Sequence, residues 1–274
     1  MWRDSYTKER DSYSNPQLDS KKEVFKTSPH VKLLLSVLRI LSVNKYLRKP
    51  DTNEATQSNK LIEASYKMSV PAKRVMLLLL GQIHPGQQDI SQKIRIEASD
   101  YSFRTGLSLQ QSYVDLKNGC RELMRTIIVT KDMRKKTTSE CVVVSWMEYH
   151  ENEGWLEARF TSWIEPYLKA LTKIGYTKIK INEAVRFKRF YSIRFYELLM
   201  QWKSTGTRYT TLDDLRNIFQ IDKKKYEKFS DFRKWVLEPS IKEIQEKTNS
   251  RINWLPMKTG RKITGISFSF SEKS

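Results

Sequence analysis

Residues 211–270 constrain the fold more than any other stretch, because helical and strand periods follow one another there in a fixed order. Thr211-Leu-Asp-Asp-Leu-Arg-Asn-Ile-Phe219 sets Leu212, Leu215, Ile218 and Phe219 at helical spacing, with Thr211 placed to cap the start. A polar, basic turn follows over Asp222–Ser230, and Asp231 opens a long helix to Thr248. At about 100° per residue, Phe232, Val236, Leu237, Ser240, Ile241 and Ile244 share one half of that helix. Lys234, Trp235, Glu238, Lys242 and Gln245 fall on the other half. Pro239 removes a hydrogen bond, costs about 3 kcal/mol or more inside a helix, and predicts a kink. Beyond the helix, Ile266, Phe268 and Phe270 alternate at period two, the signature of a strand on a core. Thr259-Gly260 is the turn before it, with Lys258, Arg261 and Lys262 at the tip. Helix, turn, long helix and basic hairpin together describe a winged helix, a DNA-reading module.

The same element order appears earlier. Ser69 caps a helix that starts near Pro71, Lys93–Glu97 alternates as a strand, and Ala98–Phe103 is a short helical turn. Ser108 caps Leu109–Met124, with Leu109, Tyr113, Leu116, Cys120 and Leu123 on one side. A strand over Thr126–Thr130, a basic loop over Lys131–Lys136, and a hairpin of Glu140–Trp146 with Trp155–Thr161 complete the set. The repeat lies in element order and not in residue identity, and it predicts an α+β chain of two tandem winged helices, helix-rich with small antiparallel sheets. We divide it into an N-terminal winged helix over 58–174 and a C-terminal one over 175–274, with Ser162–Ile174 as a connecting helix and Gly175–Lys180 as the join. Residues 1–57 are polar, rich in Ser, Asp and Lys, and read as a flexible extension carrying one short apolar helix over 31–43.

Charge selects the partner. Lys and Arg exceed Asp and Glu by a formal +19, which favours a polyanion, nucleic acid before an anionic membrane. The apolar run at 31–43 is too short to cross a bilayer and contains Lys32 and Arg39. Cys120 and Cys141 lack any metal-ligand spacing and read as buried free thiols of a reducing cytoplasm. His30, His84 and His150 are isolated, so the metal ligands of a nicking enzyme are missing. No GxxxxGK[ST] phosphate loop is present, so ATP turnover is not this chain's own work. The expectation is a non-enzymatic protein without cofactor or metal.

Lys234, Trp235, Glu238 and Lys242 on the outer arc, with Lys228 before it, are the candidates for touching bases. Lys223, Lys224, Lys225, Arg233, Lys258, Arg261 and Lys262 are candidates for phosphates, which position the protein without specifying sequence. Lys73 and Arg74, at a helix start, join the phosphate group. In the first domain, Gln110, Gln111, Lys117 and Arg121 lie on the equivalent helix. The row Tyr191, Phe195, Leu198 and Trp202 is assigned to the core.

Several pieces share a further likeness. Phe160-Thr161 with Ile164–Leu168, Tyr191–Leu199, Asp231–Lys234 with Glu243-Ile244, and Gly260–Lys262 with Ile266–Phe270 resemble the iteron-binding plasmid replication initiators of RepA/RepE/Pi type. Pro71–Met76 adds to the likeness, which runs in order over roughly residues 58–272. The resemblance implies binding to directly repeated origin sites in double-stranded DNA. It implies a dimeric form that represses the protein's own gene, with the N-terminal domain mediating dimerisation and backbone contacts. It implies the host initiator DnaA and the replicative helicase as partners. It places base reading on the positions of Lys228, Lys234 and Trp235. Trp235 departs from the basic residue common there; it cannot grip guanine bidentately but can stack or touch a thymine methyl. A winged-helix regulator on a palindromic operator is the first alternative, and a nickase or recombinase the second.

Overall fold

A computed structural model describes residues 53–83, 92–132, 135–150, 153–165, 167, 175–222 and 224–273. The apolar run at 31–43, Lys223 and most of the expected connecting helix lie outside the described residues. All that follows belongs to one compact unit, Pro50–Ser274.

The chain enters as strand β1 (Glu54–Ser58), so the part of the 1–57 extension from residue 54 is not flexible but paired. Its partner is β7 (Tyr176–Lys180), which runs antiparallel from Glu54↔Lys180 to Ser58↔Tyr176. The expected join at Gly175–Lys180 is therefore a strand; Ala55 and Ile179, opposite each other, are both fully buried and supply the reason. Ser58 then caps α1 (Asn59–Glu63) by accepting from the Leu61 amide.

The first winged helix opens with α2 (Val70–Gly81), capped by Ser69, whose hydroxyl accepts from Ala72 N, with Pro71 in the first turn. Its buried residues run from Ala72 to Gly81 without a polar side, as suits a helix covered all round. Strand β2 (Ile94–Glu97), α3 (Ala98–Thr105) and α4 (Leu109–Leu123) follow, and Ser108 caps α4 by accepting from Gln111 N. Helices α2 and α4 cross at Gly119, where a Cβ would meet the Pro71 carbonyl carbon and oxygen at 2.9 Å. Any side chain there would push the two helices apart.

Next comes hairpin β3 (Ile127–Asp132) with β4 (Thr137–Val142), then β5 (Val144–His150) with β6 (Trp155–Phe160). The expected single strand over Glu140–Trp146 is thus two strands in different sheets. The chain changes sheet at Val143, which is fully buried and accepts from the Thr161 amide at 2.9 Å. Thr161 Oγ1 donates to Val142 O at 2.7 Å and pins the corner.

The chain continues with α5 (Ile181–Ala184) and α6 (Phe190–Met200), then β8 (Thr207–Thr211) and α7 (Leu212–Ile218). Thr211 caps α7 by accepting from Asp214 N. Helix α8 (Phe229–Phe232) runs into a π-helical turn, Arg233–Leu237, and then α9 (Glu238–Lys247). The widened turn answers Pro239: Glu238 N–H reaches back to Arg233 O, so the missing proline donor falls at the start of a fresh helix. Hairpin β9 (Ser250–Thr259) and β10 (Lys262–Glu272) closes the domain.

Sheet order verifies the internal repeat. The first domain orders its three strands β2-β6-β5 and the second β8-β10-β9, the same arrangement of first, third and second strand. Hairpin β3–β4 is an addition to the first domain, tied to the body by a bridge between Ser65 and Val129. Tyr191 and Phe195 pack on Phe219, with Phe195–Phe219 centroids 4.9 Å apart, and Phe268 packs on Phe195. Trp202, expected in that core, is 45% exposed because α6 has already ended at Met200.

Candidate nucleic-acid interface

The long second-domain helix buries the side expected of it. Phe232, Val236, Leu237, Ser240, Ile241 and Ile244 are all buried, while Lys234, Glu238 and Lys242 are exposed and Trp235 is 55% exposed. Two features pre-order the exposed arc. The Lys234 ammonium lies 5.0 Å from the Trp235 ring centroid, a cation over an aromatic face. Gln245 turns from the arc to accept from Ile252 N at 2.9 Å, so it ties the helix to β9.

Two cations of this helix are partly neutralised. Arg233 Nε stands 3.5 Å from Glu238 Oε1, and Lys242 Nζ 3.9 Å from Glu246 Oε1. All four side chains are at least half exposed, so these pairs are weak and separable. Arg233 therefore has an internal partner besides any phosphate.

Lys224, Lys225 and Lys228 are exposed in the turn before α8. The turn has its own organiser, which periodicity did not reveal. Arg216, on α7, donates to Lys225 O at 2.9 Å and to Tyr226 O, and its guanidinium lies 5.6 Å from the Phe232 ring centroid. Tyr226 accepts a left-handed φ of +56 to make the bend. At the wing tip, Lys258, Arg261 and Lys262 are exposed around Gly260, whose φ is +60 and which has open space on its Cβ side. Glycine in the first position of a two-residue connection suits a hairpin turn of this hand.

In the first domain the equivalent helix is α4. Gln110, Gln111 and Arg121 are exposed, and Gln111 Nε2 donates to Asp115 Oδ1 at 2.7 Å. Lys117 is half-buried, with its ammonium 5.2 Å from the Tyr149 ring centroid. Arg121 lines an open groove of about 660 Å³ together with Lys67 and Arg125, and Gln220 of the second domain reaches the same groove. Arg121 lies on α4 and Arg125 just past its end, four residues on; Lys67 arrives from a distant loop and leaves no local trace.

Lys73 and Arg74, expected at phosphates, are not on the surface. Both are buried, at 0% and 6% exposure, and cannot meet a phosphate. Lys73 Nζ pairs with Glu197 Oε1 at 2.7 Å and with the Tyr66 hydroxyl at 2.7 Å. Arg74 donates to Phe187 O at 3.0 Å and stands 3.6 Å from Asp115. Helix α2 runs through the interior, so its first-turn cations face protein. Cys120 is a buried free thiol, pushed by burial up to about 12, and Cys141 is half-buried. The expected basic wing of the first domain is also displaced: Lys131, Lys135 and Lys136 belong to the added β3–β4 hairpin. The true wing is β5–β6, and the sequence between its strands, Glu151-Asn-Glu-Gly154, holds no cation.

Two helix-turn-helix units, each followed by a hairpin in the same strand order, define a tandem winged-helix protein. The chain belongs to the initiator replication protein family: residues 54–200 match the family's first winged helix, described as Initiator Replication protein, WH1, and residues 211–270 its second, Initiator Rep protein, WH2. It is 26% identical over 256 residues to the PI protein of Escherichia coli, spanning 80% of this chain and 84% of that one. An uncharacterized 27.6 kDa protein of Escherichia coli is 28% identical over 205 residues, covering 70% of this chain and 84% of its own length. In fold, the chain is similar to the Pi initiator protein crystallised with iteron DNA, with a TM-score of 0.71 at 24% identity over 81% of this chain and 98% of that one. The first family match runs on through α6, beyond the division at 174 drawn from the sequence.

Proposed function

We propose that this chain initiates plasmid replication by binding directly repeated origin sites through both winged helices. The observation that carries the reading is the exposed arc of Lys234, Trp235 and Glu238, held on a helix whose other side is fully buried. A rigid helix that offers donors and an aromatic edge to solvent is what a major groove accepts. Lys224, Lys225, Lys258, Arg261 and Lys262 flank that arc in the chain, before and after it, and hold phosphates in this account. Family membership supports it, as does the likeness to an initiator whose crystals contain iteron DNA.

The protein works without catalysis of its own in this reading. Strand opening draws on binding energy and on host proteins, DnaA and the replicative helicase, in the cytoplasm. Self-association through the first domain and repression of its own gene complete the proposal.

Lys234→Ala tests the division of labour. It is expected to weaken specific sites by about 1–3 kcal/mol and to leave random duplex nearly unchanged. Lys224→Ala is expected to weaken both about equally. Competition binding with specific and random duplex reads the difference, and equal losses for both variants on both DNAs would reject the assignment.

A further inference from the structure

The outward face of the β2-β6-β5 sheet carries a group of side chains outside the proposed base- and phosphate-contacting set. Glu148 and His150 are two residues apart on β5 and so point the same way. Register places Glu157 of β6 directly opposite Glu148. One ligand atom from each of the three lies within 4.8 Å of the others. Leu156 and Ala158, which alternate with Glu157, are buried, so the sheet holds the three on its open side.

His150 is fixed in place. Its ring stacks on Trp155 with centroids 3.4 Å apart, and Trp155 is itself anchored by Nε1 donating to Glu153 at 2.7 Å. His150 Nε2 is screened from solvent and has no hydrogen-bond partner among the described residues. Glu148 Oε1 is 3.7 Å from it, too far for a hydrogen bond. A solvent-screened imidazole nitrogen grouped with two carboxylates is a donor set that one Lewis acid can bridge.

We propose that Glu148, His150 and Glu157 bind one divalent transition-metal ion, with zinc the best match. One imidazole and two carboxylates, with water as a fourth ligand, is a donor set that zinc accepts. Ligand atoms around tetrahedral zinc sit about 3.4 Å apart, given bonds of about 2.0–2.2 Å, so the three need draw in only by about an ångström. Lys93 currently balances the carboxylates, 3.5 Å from Glu148 and 3.2 Å from Glu157. The ion displaces that ammonium, which keeps a seat over the Trp146 ring, 4.5 Å from its centroid. Bound metal would staple β5 to β6 next to Glu153.

The test is calorimetric titration of zinc chloride into the full chain, with tryptophan fluorescence as a second readout. One equivalent is expected to bind saturably. Glu157→Gln and His150→Ala are each expected to weaken that binding roughly tenfold or more. Lys93→Gln removes the competing ammonium and is expected to tighten it. Variants at His30 and His84 leave it unchanged. Absence of saturable binding, or binding indifferent to both Glu157→Gln and His150→Ala, overturns the site; Glu157→Gln is nearly isosteric and decides the matter should His150→Ala unfold.

Discussion

Glu197→Ala is expected to destabilise the protein by about 3–5 kcal/mol, because it strands two buried cations. Lys73 and Arg194 both have side chains at 0% exposure, and both pair with Glu197, at 2.7 and 2.9 Å. Arg194 also donates to Ile62 O and Ala64 O at 2.8 and 2.9 Å and to the Tyr66 hydroxyl. Gln57, on β1, donates to the same carboxylate at 2.9 Å. The cluster therefore joins β1 and α2 to α6. Removing the anion leaves charges that water cannot reach, and each costs several kcal/mol unpaired. Chemical denaturation measures the effect as a lower midpoint with an unchanged slope. Adding Lys73→Met to the variant is expected to return part of the loss, since one of the stranded charges is then gone. A loss below about 1 kcal/mol would show that the cluster is hydrated and not a structural joint.

The same carboxylate gives an acid-side signature. Burial by itself raises its pKa, and the Lys73 and Arg194 charges more than reverse that, holding it below the ordinary carboxylate range. The folded state thus binds this proton more weakly than the unfolded one. Its stabilisation is present above the unfolded value and is lost as pH falls through the folded one. Wild type is expected to lose stability across that acidic window more steeply than Glu197→Ala.

DNA affinity is expected to collapse with added salt. Taking Lys224, Lys225, Lys258, Arg261 and Lys262 as one phosphate contact each gives a log–log slope of about −4.5 from the second domain alone. Between 50 and 200 mM salt that slope removes roughly 500-fold in affinity. Arg233 is left out because Glu238 already faces it at 3.5 Å. First-domain cations such as Arg121 and Arg125, and those of the β3–β4 hairpin, would steepen the slope further. A flat titration would exclude a phosphate-dominated interface.

Local patterns carried much of the architecture in both domains. The 232–244 face, the Thr211, Ser69 and Ser108 caps and the Gly260 turn are short-range chemistry, and each is written within a few residues. What escaped is long-range. Lys73 and Arg74 looked like surface cations because their partners, Glu197 and Asp115, are far away in sequence. Strand β1 was hidden in a polar extension because its pairing partner β7 lies more than a hundred residues on. The Glu140–Trp146 run read as one strand because a change of sheet at Val143 leaves the alternation almost intact. Arg216 gave no signal, since a side chain that staples a turn through backbone carbonyls needs no fixed sequence partner. At Pro239, sequence foresaw a disturbance but not its form, a π turn that keeps the Lys234–Trp235 surface on a continuous helix.

Both recognition helices, α4 and the α8–α9 helix, should contact one repeated duplex. Selecting bound sequences from a random duplex library and mapping the protected segments tests it most directly. The account predicts head-to-tail copies, each contacted in two major-groove segments about one helical turn apart. Inverted repeats alone, or no sequence preference at all, would contradict it.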